Sequence, residues 1–225
     1  MRSQQSGFTL VEIAIVLVII GLLLGGILKG QELINSAKVK NLANDFRVTP
    51  TYIYAYQDKF KALPGDDPNV VAHLGASGTQ GASPAAGNGV INGNWNSTTN
   101  TDESFLFWQH VRLANLAAGP TDVTDPTYQP RNAVGGVIGI SSAISGGATP
   151  TVQIAGMTGT YQICSSGILG KFVKQLDIQM DDGNTATGSM RATAEPVGAP
   201  GAAAVATSGP GGIDDATNYT VCMTF

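Results

Sequence analysis

The chain has 225 residues, 43% hydrophobic and 12% charged, with 29 glycines and two cysteines. Residues 1–62 carry seven Lys/Arg against four Asp/Glu, and residues 63–225 five against twelve. The acidic second part argues against nonspecific nucleic-acid binding, because phosphate contacts need clustered cations. Two cysteines without CxxC or clustered histidine exclude a disulfide scaffold and do not read as a metal site.

Residues 1–7 form a short polar leader ending in Gly7, and an apolar run follows from Phe8 to Leu28 whose only charged residue is Glu12. As a helix this run is about 30 Å long, enough to cross a bilayer core. In an ordinary secretory signal the cleavage site follows the apolar core. Here the candidate point, Gly7-Phe8, precedes it, so processing leaves the hydrophobic helix on the mature chain. A carboxylate inside such a segment is costly and is read as functional by default. Gly21/Gly25 and Gly26/Gly30 have the small-xxx-small spacing that lets membrane helices approach closely, simple tolerance of glycine being the alternative.

Residues 29–62 continue the helix in amphipathic form. Leu33, Ile34, Ala37, Leu42, Phe46, Ile53, Tyr56 and Phe60 line one stripe. Pro50 should bend this helix without ending it, and LPGDDP (63–68) should stop it. Residues 75–100 read as a long polar loop with a short strand at Val90-Ile91. Residues 102–118 read as a second amphipathic helix with Phe105, Leu106, Trp108, Leu113 and Leu116 on its buried side. From about residue 134, short β-branched runs (VGGVIGI, TVQIAGM, YQICS) signal strands. A short helix at 167–177, strands at GSMRATA and NYTVCMTF, and a mobile low-complexity loop at 195–212 complete the pass.

Cys164 and Cys222 suit one staple in an oxidising compartment, worth about 4 kcal/mol for the loop it closes, with two buried free thiols as the alternative. Asp177, Asp181, Asp182 and Asn184 form an acidic cluster, and its first three members are the calcium candidates. Asp182-Gly183 is equally a hairpin-turn signal and EF-hand spacing is absent, so no bound metal or other cofactor is expected there or at Asp66-Asp67. His73 and His110 read as isolated surface or helix-face histidines. With no HExxH, GxSxG, phosphate-binding loop or dinucleotide fingerprint, an enzyme is not expected.

The segment GFTLVEIAIVLVIIGLLLGG (7–26) resembles the N-terminal motif of type IV prepilins and pseudopilins in its glycine, the phenylalanine after it, and the glutamate five residues past the glycine. LPGDDP, GNGVINGNW with ESFLFWQHVRLANL, and LDIQMDDG look like a group of larger pilin-like proteins. The resemblance implies an α+β fold in which a long N-terminal helix packs on an antiparallel sheet. Its parts would be a leader (1–7), a membrane or filament-core helix (8–28), an amphipathic continuation (29–62) and a globular head (63–225). It also implies cleavage after Gly7 by a membrane prepilin peptidase, N-methylation of Phe8, and pairing of Glu12 with the terminal amine of a neighbouring subunit. The protein would start in the bacterial inner membrane with its N-terminus in the cytoplasm and end in a filament of pilin subunits, built by an assembly platform and a partner ATPase. A filament subunit of a type IV pilus is the leading expectation. A minor pilin with an adhesive or tip-initiating head and a type II secretion pseudopilin are the alternatives.

Overall fold

A computed structural model of the chain describes residues 7, 9–82, 86–143, 153–196 and 200–225. Helix α1 runs unbroken over Leu10–Phe60 with Pro50 inside it. Pro50 has no N–H to donate, so one rung of the ladder is missing, yet the helix continues for ten residues. It ends at Lys61, whose φ of +55° is left-handed. Compact packing divides the chain into Met1–Lys38 and Val39–Phe225.

The second unit is α+β. Its described elements are helices α2 (Val70–Leu74), α3 (Glu103–Leu113) and α4 (Gly170–Met180), and strands β1 (Ile138–Ser142), β2 (Tyr161–Leu169), β3 (Met190–Ala194) and β4 (Asn218–Thr224). The strands form one antiparallel sheet in the order β1-β2-β4-β3. β1 is buried at every position, so both faces of that strand are covered. The buried stripe of α1 (Val39, Leu42, Ala43, Phe46, Ile53) shares one core with Ile138, Ile140, Ile163, Phe172, Leu176 and Val221. The helix-on-sheet packing expected from the apolar stripe is therefore present, although Phe60 is only half-buried.

Several local expectations are corrected. Val90-Ile91 is not a strand; Ile91 instead exchanges bonds with Ser142, donating to its Oγ and accepting from its amide. The TVQIAGM run contributes only an isolated bridge at Ile154; its residues 151–152 lie outside the described residues. α4 starts at Gly170 rather than 167, because β2 continues through an irregularity between Ser165 and Ile168. The 200–213 stretch is tied down: Ala202 bridges Ile154, Val205 N–H donates to the Ala192 carbonyl, and Ile213 is buried.

Candidate functional site

The N-terminal unit presents an apolar surface. Every large apolar residue from Leu10 to Leu28 is exposed, from 47% at Ile13 and Ile20 to 91% at Leu10, and α1 is long and apolar enough to cross a membrane. The helix opens with a reciprocal cap. The Thr9 N–H and hydroxyl both donate to Glu12 Oε2 at 2.8 Å, and the Glu12 N–H donates to Thr9 Oγ1 at 3.3 Å. This is a Thr-x-x-Glu capping box, which satisfies amides that a helix start otherwise leaves unpaired. Glu12 thus already has a local partner. Gly7 is described and exposed, whereas Phe8, the expected methylated residue, lies outside the described residues. A Cβ at Gly21, Gly25, Gly26 or Gly30 would meet nothing within 4 Å, so no contact inside the chain requires glycine at these positions.

In the head, Cys164 and Cys222 face each other across β2 and β4 and form a disulfide. Both are fully buried, beside Trp95, Ile154 and Met157. The bond joins the two central strands of the sheet.

LPGDDP builds a buried polar hub. Asp66 accepts from the amides of Gly87, Asn88 and Gly89. Asp67 accepts from the Tyr56 hydroxyl at 2.7 Å and the Asn69 amide at 2.8 Å, and lies 2.6 Å from His73 Nδ1. Burial alone would raise the Asp67 carboxyl, but the bonds from His73, Tyr56 and Asn69 win and hold it below the usual range. Both acids are thus committed to holding loops, and the calcium reading of Asp66-Asp67 finds no open carboxylate there. Gly65 requires glycine, since its φ is +91° and a Cβ would strike the Glu103 carbonyl.

Helix α3 is not one-sided. Glu103 through Arg112 are all buried, polar residues included. His110 is fully buried and not isolated: its Nδ1 accepts from the Gly65 amide and its Nε2 donates to the Thr79 carbonyl, both at 2.8 Å. Burial lowers its pKa, so it stays neutral with both nitrogens committed. Glu103 Oε2 accepts from the Asn92 amide and side chain, while Oε1 has no partner. Burial pushes this carboxyl up to about 7, the Asn92 bonds opposing and nearby Asp66 adding to the shift. Asp67 ties its turn to α1 through Tyr56, Glu103 and His110 tie loops to α3, and Asp66 holds the 87–89 loop.

At the end of α4, oxygens of Asp177, Asp181 and Asp182 lie within 4.8 Å of one another. Asp177 is 1% exposed and neither of its oxygens has a hydrogen-bond partner. Two features here escaped sequence reasoning. The capping box was visible as Thr9-x-x-Glu12 but overshadowed by the apolar run, and the burial of the LPGDDP acids had no sequence signal beyond the turn itself.

A family model described as the prokaryotic N-terminal methylation motif matches residues 2–28. No curated protein matches the chain, and no solved structure does.

Proposed function

We propose, from the methylation motif at residues 2–28, that the chain is a type IV prepilin or pseudopilin and serves as a structural subunit of a type IV pilus or related filament, polymerised through its N-terminal helix. The observation that carries this reading is the methylation motif lying on an exposed apolar helix with a single acid near its start. So large an apolar surface needs a partner, first lipid and then the helices of other subunits. Prepilin peptidase would cut between Gly7 and Phe8 and methylate the new amine of Phe8. Glu12 would meet the terminal amine of an adjacent subunit. In a low dielectric the two charges attract strongly, although desolvation takes back much of the gain, so the pair serves register more than affinity. Open space around Gly21, Gly25, Gly26 and Gly30 leaves room for close approach of a neighbouring helix. Membrane insertion precedes assembly, and the work of extrusion comes from a separate ATPase and platform.

Intact-mass measurement on assembled protein tests the reading. The expected mass lacks residues 1–7 and carries one added methyl. Assembled chains that retain Met1 would falsify it.

A further inference from the structure

A cleft of about 470 Å³ opens where α1 meets the LPGDDP turn, with Tyr161 of β2 in its wall. Small-molecule sites commonly measure about 300–1,000 Å³. The charged groups of this wall are already spent. Asp66 accepts from the amides of Gly87, Asn88 and Gly89, and Lys61 Nζ donates to the Asp58 carbonyl and carboxylate. The neutral groups are not spent. Among the described residues, no hydrogen bond engages the side-chain amides of Gln57 and Asn69 or the Tyr161 hydroxyl. Asn69 precedes α2 without capping it through its side chain. Burial first, then Asp66 and Tyr54, raise the Tyr161 phenol, so it stays protonated and able to donate. His73 adds an oriented acceptor. Asp67 is held ionised, so the proton in its 2.6 Å contact with His73 sits on Nδ1, and the neutral ring keeps its lone pair on Nε2. Phe60, stacked on His73 at 5.0 Å between ring centroids, supplies apolar wall together with Leu63 and Pro68.

We propose that this cleft binds a neutral pyranose sugar. A sugar ring carries hydroxyls that each donate and accept, around a C–H face that is apolar. The Gln57 and Asn69 amides offer both donors and acceptors, Tyr161 a hydroxyl, and His73 an acceptor, so the ligand's two kinds of surface meet two kinds of wall. An organic anion would find no unspent cation here. An apolar ligand would strand two amides and a phenol away from water, and each stranded group costs more than its bond returns. The site lies wholly within the unit Val39–Phe225 and does not depend on the filament reading.

The test is saturation-transfer NMR on the full chain, held in micelles of a detergent without a sugar headgroup. The probes are the methyl glycosides of glucose, galactose, mannose and N-acetylglucosamine, with methyl glucuronide as the charged comparison. At least one neutral glycoside should bind with a Kd on the order of millimolar, as so small a ligand in an open cleft allows, and the glucuronide should bind more weakly. Gln57→Ala and Tyr161→Phe each remove one neutral hydrogen bond and should each weaken binding about fivefold, with the unfolding midpoint unchanged. Tyr161→Phe keeps the ring, so its loss reports the hydroxyl. Should that variant not fold, Gln57→Ala answers alone. Absence of transfer to all four neutral glycosides overturns the proposal, as do tighter binding of the glucuronide and variants that bind as the parent does.

Discussion

Glu12 has two jobs that a single truncation would confuse. It closes the capping box with Thr9, and in the proposed filament it supplies the charge that meets a neighbour's amine. Glutamine preserves the capping oxygen and removes the charge, so Glu12→Gln separates the two. Both Glu12→Gln and Glu12→Ala should leave leader cleavage intact and sharply reduce filament yield, with shearing and quantification as the readout. Normal filaments from Glu12→Gln, with loss confined to Glu12→Ala, would mean that the helix cap and not the charge matters. At this scale the capping box lay within four contiguous residues, whereas the burial of Glu103, His110 and Asp177 depends on loops arriving from 65, 79 and 92 or on packing beneath α4, which no window of a dozen residues contains.

Strands and helices with a clean period could be read closely. α1 was expected to end near residue 62 and ends at Phe60; β2, β3 and β4 lie where YQICS, GSMRATA and NYTVCMTF foretold. The failures have a common cause. TVQIAGM has strand composition, but its described residues pair only through the isolated bridge of Ile154 with Ala202, and Gly156 takes φ +77° within it. α3 has an apolar stripe, but loops carrying Thr79, Thr121 and Pro120 cover its polar face through Gln109, His110 and Arg112. The disulfide belongs to this scale because it ties β2 to β4 over a separation of 58 residues. Cys222→Ser should lower the unfolding free energy of the head by about 4 kcal/mol, measured by denaturant titration, and should speed proteolysis after β3. Native thiol labelling should find neither sulfur in the parent. An unchanged denaturation midpoint would mean that the staple adds nothing to the folded state.

Across the whole molecule, buried acids and one buried base set opposing pH trends. Glu103, raised to about 7, favours the fold fully below the ordinary glutamate pKa of 4.5, and that share is lost as pH rises through about 7. Asp45 and Asp177, each raised to about 6 by burial, act in the same direction. His110, lowered from 6.5, acts oppositely: its share is present above 6.5 and is lost on acidification. Stability measured in chelator should therefore fall as the medium goes from mildly acidic to mildly alkaline. Glu103→Gln keeps an acceptor for Asn92, and its amide can donate towards Asp66. It should flatten that fall and add on the order of 2 kcal/mol on the alkaline side. Denaturant unfolding at several pH values checks this; an undiminished slope in the variant would assign the titration to another group.

The strand order carries a consequence for folding during synthesis. β3 pairs with β4 and with no other strand, and β4 lies between β2 and β3. A chain synthesised from its N-terminus delivers β1, β2 and β3 before the strand that unites them. Until β4 arrives, β2 presents a bare edge with an unpaired thiol at Cys164, and β3 has nowhere to dock. Such an edge is a template for pairing with other chains, and the long wait for β4 makes closure of the sheet slow relative to the hairpin of β1 and β2. The nascent head is most open to wrong partners in the interval before its central strand slides into place.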